Sequence, residues 1–149
     1  MLTFLGHQAE VVTSGGAAVE QYKRALQKGR PYDAVILDLM VPGGMGGKEA
    51  LERLTEIDPA VNVIMASGYT QDPVMTEFEE YGIKAVISKP YTLEELSRTL
   101  SSVMAKAETK TLGSVTVKAE TKTLGSVTVQ AKPEALNSVM VQAETWTVH

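Results

Sequence analysis

The chain contains no cysteine, which excludes disulfides and thiolate metal centres. Its two histidines, His7 and His149, lack metal-ligand spacing. No apolar run approaches the roughly 18 residues needed to span a bilayer. The opening Met-Leu-Thr-Phe-Leu-Gly-His-Gln lacks the basic region and long apolar core of a secretory signal. A cytoplasmic protein is therefore expected. Basic charge is also short: the net charge is −4 and the pI about 5.2, which argues against nucleic acid as a partner. Aromatic residues make up only 5% of the chain. From residue 105 onward they come down to Trp146, and that stretch holds no Phe or Ile, too little to build a core of its own.

What is present is enough for one ordinary core: 149 residues, 44% of them hydrophobic. Strand-like and helix-like segments alternate from residue 9 to about 104. Ala9–Thr13 reads as a strand and Ser14-Gly15-Gly16 as a turn and cap. Helical spacing follows over Ala17–Lys28, with Gly29 as its stop. Ala34–Asp38 is the best candidate for a buried strand. Lys48–Ile57 carries Ala50, Leu51, Leu54 and Ile57 on one helical face. Val61–Ala66 and Lys84–Ser88 are the next strands. Between them, Asp72-Pro73 opens a helix that should run to Tyr81. Thr92-Leu-Glu-Glu95 fits a capping box for a last helix ending near Met104. Alternation on this scale implies a parallel sheet with right-handed crossovers.

Composition changes near Ala105. Residues 106–117 recur unchanged as 118–129, a third copy at 130–141 has diverged, and a fourth begins at Gln142. Period-2 alternation, with Val115, Val117, Ala119, Thr121 and Thr123 on one face, suits strands. The competing reading is a polar low-complexity tail. The chain thus divides into a domain over 1–104 and a repeat segment over 105–149.

The chemistry gathers at the strand ends. Ala-Val-Ile-Leu-Asp38 runs into the loop Leu-Met-Val-Pro-Gly-Gly-Met-Gly-Gly, Val-Ile-Met-Ala-Ser67 into Gly-Tyr, and Ala-Val-Ile-Ser-Lys89 into Pro90. Carboxyl ends of parallel strands are where open α/β sheets place their sites. The glycine loop has neither the P-loop Lys-Ser/Thr ending nor the dinucleotide spacing. An Asp, a Ser and a Lys in this order resemble the receiver domain of two-component response regulators, over residues 1 to about 104. Val-Pro-Gly-Gly-Met-Gly-Gly-Lys-Glu-Ala and Ser-Gly-Tyr look like receivers at the end of hybrid sensor kinases.

The resemblance implies a flavodoxin-like three-layer α/β fold and phosphorelay signalling. Asp38 would be the phosphoacceptor, Ser67 the hydroxyl that follows the phosphoryl group, and Lys89 its cationic partner. The Met40 backbone carbonyl and Asp38 would be ligands to Mg²⁺, and a histidine kinase or phosphotransfer protein the donor. Such a domain is not an enzyme in the ordinary sense, although receivers assist their own phosphorylation.

The chain departs from the family at its start. Met1–Gly6 looks like the end of the family's first helix, so the first strand and its acidic cluster would lie upstream. One Asp and a carbonyl are a poor magnesium site. In the family order 2-1-3-4-5 the missing strand is central, and its loss would leave Ala9–Thr13 and Ala34–Asp38 with open edges. The repeats offer a replacement through Ser114–Val117, Ser126–Val129 or Ser138–Val141, in the same chain or a neighbour's. Ser138–Val141 fits best, because Met140 is apolar where Thr116 and Thr128 would bury a hydroxyl. Glu144 could then approach Asp38 as a stand-in carboxylate. The rival expectation is an interaction or assembly scaffold that forms homo-oligomers by strand pairing of the repeats.

Overall fold

The computed structural model describes residues 6–112 and 138–142. Five parallel strands form one sheet: β1 (Gln8–Val12), β2 (Ala34–Asp38), β3 (Val63–Ser67), β4 (Ala85–Ser88) and β5 (Ser138–Gln142). Four helices complete the described fold: α1 (Gly15–Gln27), α2 (Gly47–Ile57), the short α3 (Pro73–Thr76) and α4 (Leu93–Leu112). The strand order is β1-β5-β2-β3-β4. The last strand in sequence therefore lies at the inner position between β1 and β2, the slot where the resemblance puts the family's first strand.

Period-2 burial explains the layers. Along β2, Val35 and Leu37 face α1, α2 and α3, packing with Tyr22, Leu54 and Val74. Ala34 and Ile36 face the other way, onto Leu96, Leu100 and Val103 of α4. β5 follows the same rule: Met140 joins the first cluster, and Val139 and Val141 the second. A strand buried on both faces reads as a continuous apolar run, and Val-Met-Val is one. Ala9 pairs with Val139 and Val11 with Val141 on one side; Ala34 pairs with Val139 and Ile36 with Val141 on the other. Asp33, in the turn before β2, fixes where β5 begins. Its carboxylate accepts from the Ser138 N–H at 2.7 Å, and its own N–H donates to the Ser138 carbonyl at 2.8 Å.

The helix ends follow local chemistry. Ser14 caps α1 by accepting from the Ala17 N–H at 3.1 Å. Thr92 and Glu95 form the expected reciprocal box: the Glu95 N–H donates to Thr92 Oγ1 at 3.2 Å, and the Thr92 N–H to Glu95 Oε2 at 2.7 Å.

Two expectations change. The helix expected over Asp72–Tyr81 splits at Glu77 into α3 and a 3₁₀ turn over Phe78–Tyr81. There both the Thr76 hydroxyl, at 3.2 Å, and the Glu77 N–H, at 2.8 Å, take the Pro73 carbonyl. The last helix continues through Leu112 instead of stopping near Met104. Ala105–Leu112 holds good helix formers and no Gly or Pro, so the start of the first repeat is helix, not strand. Most of Met1–Gly6, the segments Ser114–Val117 and Ser126–Val129, and Glu144 and Trp146 lie outside the described residues. Among the described residues, no helix is long and apolar enough to cross a membrane.

Candidate functional site

The carboxyl ends of β2, β3 and β4 lie level, because Asp38 pairs with Ala66 and Ser67 with Ser88. This register carries Asp38, Ser67 and Lys89 to one edge of the sheet. Lys89 Nζ lies 2.5 Å from Asp38 Oδ2, an ion pair between residues 51 positions apart. Asp38 Oδ1 accepts from the Met40 N–H at 3.2 Å, which turns the carboxylate toward the loop. The Lys89 N–H donates to the Ser67 carbonyl at 2.8 Å, and the Lys89–Pro90 peptide is cis.

Ser67 is fully buried, and its hydroxyl is engaged by the backbone of the following loop. It accepts from the Tyr69 N–H at 2.9 Å and donates to the Tyr69 carbonyl at 3.4 Å. Tyr69 itself is exposed on the loop. Tyr91 borders the site half-buried; burial first, then the negative charge of Asp38, push its phenol well above the ordinary tyrosine range. Val86 packs half-buried against the α1–α2 layer.

Glycine is required where α2 meets the site. A Cβ on Gly47 would lie 2.7 Å from the Asp38 carbonyl oxygen and 2.6 Å from Met65 Sδ. Gly43 turns the intervening loop at φ 70°.

Gln142 escaped the sequence reading. At the carboxyl end of β5 it is buried, and its Nε2 donates to the Met45 carbonyl at 3.3 Å, tying β5 to the loop after Asp38. Its Oε1 is buried without a hydrogen-bond partner among the described residues. The available signal was its place directly after the apolar Val-Met-Val run.

Residues 1–101 match the family model for the response regulator receiver domain. The chain belongs to that family. Sporulation initiation phosphotransferase F of Bacillus subtilis is 32% identical over 91 residues, which is 61% of this chain and 68% of that protein. Sensory transduction protein RegX3 of Mycobacterium tuberculosis is 33% identical over 101 residues, 68% of this chain. The chain spans only a part of the longer regulators: 41% of RegX3 and 23% of the B. subtilis regulatory protein YesN. Among solved structures, a receiver protein from Sinorhizobium medicae is similar with a TM-score of 0.56 at 25% identity, over 71% of this chain and 81% of that one. The receiver domain of the Pseudomonas aeruginosa sensor histidine kinase PA1611, whose structure holds a magnesium ion in the active-site cleft, shares the fold. Its TM-score is 0.60 at 23% identity, over 70% of this chain and 82% of that one.

Receiver domains serve phosphorelay signalling, and the donor set of this one can be weighed against magnesium. The described residues include no cluster of three or more Asp, Glu, His or Cys. Among the described residues Asp38 is the carboxylate at the site, with one oxygen paired to Lys89. β5 ends in the neutral amide of Gln142 where the family resemblance calls for acids. A hard divalent cation wants several oxygen ligands. These residues do not make that site.

Proposed function

We propose that this receiver domain accepts a phosphoryl group on Asp38 from a phosphohistidine of a histidine kinase or phosphotransfer protein, in the cytoplasm. The observation that carries the proposal is the 2.5 Å contact between Lys89 Nζ and Asp38 Oδ2 at the level carboxyl ends of β2 and β4. A cation held there neutralises charge on the transferred oxygens, and in phosphoryl transfer positioning and electrostatics supply most of the catalysis.

In the step itself, an Asp38 carboxylate oxygen attacks phosphorus, the phosphorus–nitrogen bond to the donor imidazole breaks, and the imidazole leaves with the nitrogen electron pair. The product is an acyl phosphate on Asp38. Lys89 keeps its proton and exchanges a carboxylate oxygen for a phosphoryl oxygen. The Ser67 hydroxyl, now engaged with the Tyr69 backbone, would turn to the phosphoryl group and release the Tyr69 loop. That release would carry the signal to the surface formed by Gly68–Tyr91. The domain acts as an acceptor and switch, not as an enzyme that turns over substrate.

Intact mass after incubation with phosphoramidate tests this. One phosphoryl group should add to the chain, and none to Asp38→Asn. Absence of an adduct under conditions that label the B. subtilis phosphotransferase would refute it.

A further inference from the structure

The slot filled by β5 recognises its occupant through few groups, and the chain carries a second segment that matches nearly all of them. The Asp33 clamp grips the backbone N–H and carbonyl of the first residue, at 2.7 and 2.8 Å, independently of side chain. The second and fourth residues, Val139 and Val141, pack toward α4. The third, Met140, packs toward α1 and α2. The fifth, Gln142, places its amide on the Met45 carbonyl. The slot therefore reads Val-X-Val-Gln after a first residue held by its backbone alone, with X apolar or small; Ser-Val-X-Val-Gln is the form in which the chain carries it.

Ser126-Val-Thr-Val-Gln130 is identical to Ser138-Val-Met-Val-Gln142 except for Thr128 in place of Met140. Ser114-Val-Thr-Val-Lys118 fails at the fifth position, where an ammonium would replace a side chain that is only 2% exposed.

We propose that the slot between β1 and β2 is a binding site for an extended Ser-Val-X-Val-Gln segment, and that Ser126–Gln130 of the same chain is its second ligand. The two segments exchange by a shift of twelve residues. Backbone pairing to both neighbouring strands is the same for either segment, so the choice rests on two terms. Met140 fills the apolar layer better than a threonine, whose hydroxyl needs a partner there. The tether opposes it: 25 residues separate Leu112 from Ser138, but 13 separate it from Ser126. Loop closure alone therefore favours Ser126 by about threefold. The residues after the strand also differ, since Gln142 leads to Ala143-Glu144 and Gln130 to Ala131-Lys132. Exchange thus reverses the charge two residues past the strand end.

The absence of native cysteine makes disulfide trapping clean. Gln8 is the register partner of Ser138, and neighbouring strands about 4.8 Å apart lie within disulfide range. The full chain is equilibrated in a thiol–disulfide buffer as Gln8→Cys/Ser138→Cys or as Gln8→Cys/Ser126→Cys, and closure is read by non-reducing peptide mass mapping. The 8–138 bond should form in nearly all molecules and the 8–126 bond in a minor fraction. Adding Thr128→Met makes the segments identical, and the 8–126 bond should then become the majority product, near the threefold tether ratio. Thr128 lies outside the observed occupant, and closure of 8–138 in the parent chain reports that the cysteine at position 8 leaves the fold intact. If Thr128→Met leaves 8–126 unformed, the slot reads more than the pentapeptide and the proposal falls. A disulfide between two chains in place of the intrachain bond would also overturn it, by showing that the alternative strand comes from a second copy.

Discussion

Truncating Met140 measures how far the domain depends on its C-terminal strand. Met140 is fully buried at the middle of β5 and shares a core cluster with Tyr22, Leu54 and Met65. Met140→Ala removes three heavy atoms from a layer closed by β2 on one side and β1 on the other. Transfer and cavity terms together come to about 2–5 kcal/mol. A central value of about 3 kcal/mol is a large part of the roughly 5–15 kcal/mol that holds a domain folded. With a urea slope of about 2 kcal/mol/M, the unfolding midpoint should fall by about 1.5 M at unchanged slope. Met40→Ala is the matched control: the same side chain is 59% exposed in the loop after Asp38, and its loss should cost no more than about 0.5 kcal/mol. Urea titrations followed by far-ultraviolet circular dichroism give both midpoints. Equal small shifts for the two variants would refute the placement of β5 inside the sheet.

Three further outcomes are expected. Gly47→Ala should lower stability by about 1–3 kcal/mol, because its Cβ would press on the Asp38 carbonyl and Met65; chemical denaturation reads the cost, and Asp38 labelling should fall with it. Lys89→Met should cost only about 0.2–1 kcal/mol, since the Lys89 side chain is 41% exposed, yet reduce phosphorylation by phosphoramidate by tenfold or more; equal labelling would remove Lys89 from the site. Burial, then the hydrogen bond to Glu10, raise the Tyr32 phenol from 10 to about 12. Its contribution is therefore fully present below pH 10 and is lost as pH rises through about 12. Melting temperature should drop across that window, and Tyr32→Phe should flatten the drop; an unchanged slope in the variant would remove Tyr32 as the cause.

The site was legible in the sequence to the extent that strand ends could be found. Ala34–Asp38 is a continuous apolar run closed by one carboxylate, and the observed strand has the same bounds. Lys89 followed the same logic. The hydrogen bonding of the Ser67 hydroxyl to the Tyr69 backbone was not legible, because it depends on where the loop puts its own N–H and carbonyl. Nor was Gln142: a polar residue after Val-Met-Val reads as a solvated strand end until the Met45 carbonyl is seen beside it. The length of the last helix was not legible, because the alternation of the repeats masks the helix propensity of Ala105–Leu112.

The amino-acid order by itself determined the alternating strands and helices, the Asp, Ser and Lys at three strand ends, and the apolar third position that marks Ser138–Val141 among the repeats. These are local matters of periodicity, capping and side-chain type. Only the tertiary structure decided which segment stands between β1 and β2, what Asp33 grips, and how closely Lys89 approaches Asp38. Those outcomes depend on backbone groups distant in sequence finding hydrogen-bond partners inside a sheet buried on both faces, where an unpaired edge is costly and one occupant closes two.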